Sequence, residues 1–229
     1  MAVNSNGKLS IGRQESRTFY MREHSLKNLV YEGILGDILK GVYQPNAIIN
    51  EKNLVEQYQV SKTPVREALV QLCSEGILNN IPRLGYQISM ITPGEIVEII
   101  EFRKIIEVGA MESCCHRLTE EQIQELRDVN EYTKTVEHSK DTKIHWEINE
   151  RFHKKLCSFA NNRYLDKALN ESMRTCTRIA NQYFIKSWES DEEEGGNHYR
   201  LVQALEEGRP ELAKEILVYD IEMMKNRML

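Results

Sequence analysis

Residues 60–72, VSKTPVREALVQL, constrain this chain more than any other stretch. Ser61 is a favoured N-cap residue, and Pro64 falls at an early helical position, where its missing N–H costs nothing. Val65, Ala68, Leu69 and Leu72 then recur at helical spacing, which turns one stripe of a helix toward a core. Lys62, Thr63 and Arg66 gather at the N-terminal corner of the opposite side. An apolar back with cations and a hydroxyl at the leading end equips a helix to enter a major groove. A capped surface helix with two cations is the plainer reading, and the flanking residues decide between them.

Upstream, Leu26, Val30, Ile34 and Ile38 share one helical face and predict a helix over 25–40, stopped by Gly41. Residues 1–24 are polar and aperiodic and read as a flexible tail. Pro45-Asn46 marks a turn in which Asn tolerates left-handed backbone, and Ile48-Ile49 a short extended piece. Asn50 is placed to cap a helix over 51–58, and Gln59-Val60 leaves only a tight turn before the helix that begins at Ser61 and stops at Gly76. Two short helices so joined form a helix-turn-helix. Residues 77–81 and 86–90 read as strands, the second alternating Tyr86, Ile88 and Met90 with Gln87 and Ser89. They flank a tip of Pro82, Arg83, Leu84 and Gly85, so 25–91 reads as a winged helix-turn-helix domain. At that tip Arg83 can reach phosphate or a minor groove, and Gly85 permits close backbone approach.

From 92 onward the pattern is helical throughout. Thr92-Pro93-Gly94-Glu95 is a capping box with proline at the first position, and Thr119 to Gln122 repeats the box. Further helices are predicted to about 160, over 164–187, over 191–207 and from Pro210 to the end. The fold class is therefore mainly α: a winged helix-turn-helix followed by an all-α bundle of six to seven helices over 92–229.

Net charge is −5, too acidic for a chain coated with nucleic acid along its whole length. The charge is uneven. Residues 1–92 hold 10 Lys/Arg against 8 Asp/Glu, while 93–229 hold 20 against 27, so only the front suits phosphate. No apolar run approaches the ~20 residues that cross a bilayer, and no secretory leader is seen, which predicts no membrane partner and a cytoplasmic protein. The five cysteines form no C-x-x-C pair and read as buried thiols.

Residues 25–90 resemble the DNA-binding domain of GntR-type bacterial repressors, through VSKTPVREAL at 60–69, EGIL at 75–78 and PRLGYQI at 82–88. Lys62 stands where that family usually has Arg, and Asn46 where it usually has Gly. The resemblance implies DNA contact by Lys62, Thr63, Arg66, Arg83 and Gly85, with Arg66 reading guanine and Lys62 and Arg83 holding phosphate. The rear resembles the ligand-binding FCD domain of the FadR-like branch, through FRKIIE at 102–107, INERFHKKLCSFANN at 148–162 and HYRLVQALEEGRPELA at 198–213. Many members hold a divalent metal with one Asp and three His, at positions that fall here on Asn149, His153, His198 and Asp220. Two imidazoles, a carboxylate and an amide oxygen suit zinc, nickel or manganese. Histidines hydrogen-bonded within the bundle are the other reading. Arg103 suits an effector carboxylate, or else pairs with Glu107 one turn on.

The resemblance implies a homodimeric repressor on a palindromic double-stranded operator, whose rear domain senses an organic or sugar acid. The alternatives are a helical metal-dependent enzyme and a metabolite sensor that binds no DNA. Glu150-Arg-Phe-His153 is formally the E-x-x-H of di-iron bundles, but no other histidine here has Glu three residues before it. No G-x-S-x-G elbow, phosphate-cradling glycine loop or cysteine nucleophile signature is present, so the chain is not expected to be an enzyme.

Overall fold

A computed structural model describes residues 12–136, 142–183 and 192–226. The chain divides into two compact units, Met1–Met90 and Ile91–Leu229.

In the first unit, α1 spans Gly12–Leu39 and buries Val30, Ile34, Leu35 and Ile38. It begins well before residue 25, where a flexible tail over 1–24 is expected from the sequence; residues 1–11 lie outside the described residues. The stretch from 14 to 24 contains Arg, Glu, Gln and Met, all good helix formers, but its sequence shows no apolar stripe, so periodicity does not mark this part of the helix. Asn50 takes extended backbone and accepts a hydrogen bond from Lys52 N at 2.8 Å, capping α2, Glu51–Tyr58. Gln59, at φ 52°, ends it. Then α3, Lys62–Ser74, packs on α1 through Val65, Ala68, Leu69 and Leu72. Ser61 stands at the N-cap with extended backbone, but its side chain makes no capping bond.

The wing is three-stranded, not two. Strands β1 (Ile48–Ile49), β2 (Leu78–Ile81) and β3 (Gly85–Ile88) lie in the order β1-β3-β2, both pairs antiparallel. Ile49 opposes Tyr86 and Leu78 opposes Ile88. Two residues are too few to display a period of two, so β1 is not legible as a strand by pattern.

Among the described residues the second unit is wholly helical: α4 (Pro93–Cys114), a 3-10 turn (Cys115–Arg117), α5 (Glu120–Val136), α6 (Thr142–Ser158), α7 (Arg163–Tyr183), α8 (Glu192–Glu206) and α9 (Pro210–Asn226). The Thr92–Glu95 capping box is formed in both directions, and Gln122 and Thr119 exchange the equivalent bonds. Helix α4 packs on α6, α7 and α9, so polar residues on its inner face meet three helices at once. Ile91, the first residue of this unit, is held by α7: its N–H donates to Gln182 Oε1 at 2.9 Å, and its carbonyl accepts from Gln182 Nε2 and the Tyr183 hydroxyl. No helix among the described residues is long and apolar enough to cross a membrane.

Candidate functional site

Two separate places carry functional chemistry. The first is the outward corner of α3. Lys62, Thr63 and Arg66 are exposed there, backed by buried Pro64 and Val65. The two cations share a partner, because Glu51 at the start of α2 lies 3.3 Å from Lys62 Nζ through one oxygen and 3.7 Å from Arg66 Nη2 through the other. On the wing, Leu84 N donates to the Ile81 carbonyl at 3.1 Å, with Pro82 and Arg83 between them. Arg83 is exposed and has φ 69°, so the third position of a proline-led turn, where glycine is favoured, holds an arginine. Gly85 has φ 130°, and a Cβ there would lie 2.6 Å from the Ile49 carbonyl oxygen. Within this domain the close approach that Gly85 permits is to β1.

The second place is a buried polar chain through the helical bundle. Arg103 on α4 donates through Nε to Glu107 Oε1 at 2.7 Å, and Glu107 Oε2 lies 2.6 Å from Nδ1 of His153 on α6. Nε2 of His153 is 3.0 Å from Asp220 Oδ2 on α9, which is also 3.4 Å from Nε2 of His198 on α8. The His198 ring stacks on Phe152, with centroids 3.9 Å apart and planes 11° from parallel. All five polar residues are buried.

Burial alone would lower the pKa of His153. The Glu107 carboxylate and the hydrogen bonds to Asp220 and Glu107 outweigh both burial and the nearby Arg103, and raise it to about 9. Burial would raise Asp220, but His198 and His153 hold it well below the usual carboxylate range. Glu107 is lowered against burial by Arg103 first and His153 second. The chain therefore alternates in charge, Arg103 positive, Glu107 negative, His153 positive and Asp220 negative.

His153, His198 and Asp220 each offer a ligand atom, all within 4.8 Å of one another. Nε2 of His198 and Oδ1 of Asp220 are buried without hydrogen-bond partners. A carboxylate on the far ring nitrogen, as Glu107 is on His153, orients an imidazole as metal sites require. These residues fit a divalent cation. Nη2 of Arg103 is likewise buried without a partner.

Residues 26–88 match the family model for bacterial regulatory proteins of the gntR family, and residues 98–222 match the model for the FCD domain. The chain belongs to the gntR family. This gntR regulator is 30% identical over 198 residues to the uncharacterized HTH-type transcriptional regulator YdhC of Bacillus subtilis, covering 82% of this chain and 86% of that one. It is 28% identical over 128 residues to the gluconate operon transcriptional repressor of Bacillus licheniformis, covering 56% and 52% of the two chains. Its fold is that of Escherichia coli McbR/YncC, with a TM-score of 0.73 over 86% of this chain and 94% of that one at 23% identity. The gntR regulator is a DNA-binding transcriptional regulator and not an enzyme.

In this gntR regulator, Glu150 of the formal E-x-x-H lies 3.4 Å from the Thr177 hydroxyl and pairs with Lys154. Asn149 is half-buried one helical turn before His153. Arg103 makes the Glu107 pair that spacing allows. What spacing does not show is that the other oxygen of Glu107 reaches His153 on another helix, or that Glu51 collects both cations of α3.

Proposed function

We propose that this gntR regulator is a repressor that reads a palindromic operator as a homodimer and receives a small carboxylate effector in its helical unit. The observation that supports the DNA assignment is the exposure of Lys62, Thr63 and Arg66 along one edge of α3, with Val65, Ala68 and Leu69 fully buried behind them. Arg66 is assigned to guanine O6 and N7, a contact that discriminates by about 1–3 kcal/mol. Lys62 and Arg83 are assigned to phosphate, Thr63 to a neighbouring contact on the same edge, and Gly85 to shaping the tip that carries Arg83. DNA as the target goes with a cytoplasmic location.

For the effector, the supporting observation is a fully buried guanidinium, Arg103, with one nitrogen unpartnered and so free to grip a carboxylate. His153, His198 and Asp220, with Asn149 one turn before His153, would hold a zinc, nickel or manganese ion, which supplies a Lewis-acidic anchor for an effector oxygen. An organic or sugar acid is the class proposed, in line with the relative named for a gluconate operon. Such an effector changes operator affinity only by its preference for one of two conformations.

For the dimer, the outward face of α4 sets two large apolar side chains among its glutamates, Phe102 at 42% and Ile105 at 72% exposed. Gly109, one turn beyond Ile105, has nothing within 4 Å of its Cβ direction, which suits close approach by the same helix of a second copy. A gel-shift titration against salt tests the DNA reading. Selective binding that weakens with salt and is lost in Arg66→Ala supports it; an Arg66→Ala protein that binds as the wild type does sinks it.

A further inference from the structure

We propose that Glu51 is a positioning residue for base reading, one carboxylate that tethers both Lys62 and Arg66 and so exchanges indiscriminate phosphate attraction for selectivity. The proposal rests on the reading that α3 meets DNA. Glu51 opens α2, and its side chain is 18% exposed, against 67% for that of Lys62 and 61% for that of Arg66. The anion therefore sits behind the two cations and faces each with a different oxygen, at 3.3 and 3.7 Å, as ion pairs; its Oε1 is buried and makes no hydrogen bond. Nothing in helix formation requires this. A glutamate in the first turn is explained by the helix dipole alone, but the dipole does not call for pairing across the turn to α3.

The electrostatic consequence has a definite sign. Non-specific affinity grows with the number of cations that neutralise phosphates, and Glu51 cancels one of two positive charges at the leading end of α3. The geometric consequence is as definite. An arginine with no anion behind it swings to the nearest phosphate, whereas Glu51, facing Nη2 of Arg66 at 3.7 Å as a charge contact, biases the guanidinium toward the orientation that a bidentate guanine contact needs. Glu51 is the least exposed of the three side chains, so its effect is assigned to the two cations in front of it, Lys62 and Arg66.

The test uses the full-length protein, a duplex that the wild type selects from a random-sequence pool, and a base-scrambled version of that duplex. In Glu51→Gln, affinity for the scrambled duplex is expected to rise, and its log–log salt slope to steepen by about 1. The ratio of selected to scrambled affinity is expected to fall at least roughly fivefold, as lost direction at Arg66 implies. Glu51→Asp keeps the charge at the helix start but draws the carboxylate back, and is expected to lose selectivity as well. The proposal is overturned if Glu51→Gln keeps the wild-type ratio and slope, if both duplexes weaken together with a lowered melting temperature, or if Glu51→Asp behaves as wild type. Arg66→Ala is measured alongside: if it leaves binding intact, the DNA assignment of α3 has failed, a result distinct from a failure of the tether.

Discussion

Glu107 and His153 are partners across two helices: the carboxylate oxygen lies 2.6 Å from the ring nitrogen, and neither side chain reaches solvent. The other Glu107 oxygen holds Arg103, so one anion stands between two buried cations. Removing it strands both. Glu107→Gln is expected to destabilise the helical unit by about 3–5 kcal/mol, the usual consequence of breaking one member of a buried ionic set. Urea denaturation followed by circular dichroism measures it, and a loss below 1 kcal/mol would show that the set is not coupled.

The same pair gives stability a pH dependence. The pKa of His153 is raised from 6.5 to about 9 on folding, so its contribution is complete below 6.5 and is lost as pH rises through 9. In chelator-treated protein, the wild-type melting temperature is expected to fall across that interval, while Glu107→Gln changes less. Parallel curves for the two proteins would exclude this assignment.

A divalent ion has to displace the proton that His153 Nε2 shares with Asp220. Adding zinc to chelator-treated protein at 100 times its Kd is expected to stabilise the fold by about 2.7 kcal/mol, and His198→Ala to abolish most of that shift. Calorimetric titration of both proteins checks it. Equal binding by wild type and variant would place the ion elsewhere.

Arg83 occupies a backbone conformation that favours glycine. Arg83→Gly is expected to leave the fold as stable or up to about 1 kcal/mol more so, because the strain is relieved while glycine adds chain entropy. Affinity for scrambled DNA is expected to drop and the salt slope to shrink by about 1. Unchanged DNA affinity would remove Arg83 from the interface.

Ile105 is 72% exposed beside the exposed Phe102 on the outward face of α4. Ile105→Asp is expected to convert a dimer to monomers in sedimentation velocity without lowering the helical content. A dimer of wild-type strength in the variant would mean that another face joins the copies.

The parts legible in the sequence were those in which one residue announces a local event. Asn50, Thr92 and Thr119 mark helix starts because capping is decided within three residues, and Asn46 turns the chain at φ 66° as its type allows. The inward stripe of α3 was legible for the same reason. Ile48-Ile49 was legible as an extended piece, but not as a third strand of the wing, since that role lies in its pairing with β3 and not in its own two residues. The start of α1 is not legible, because helix propensity without an apolar stripe gives no periodic signal. At the buried chain, the i to i+4 pair Arg103–Glu107 could be read along one helix. The second bond of Glu107 spans 46 residues and depends on how α4 meets α6, which no spacing rule encodes.

Gly85 begins the middle strand of the wing where a single added carbon would strike the Ile49 carbonyl, and Ile49 runs directly into Asn50, the cap of α2. Flap and helix entry are thus one casting, and the angle between them is not an adjustable hinge. Retargeting this protein to a new operator has to come by exchanging side chains at its edges, because tilting the flap would also unseat the cap.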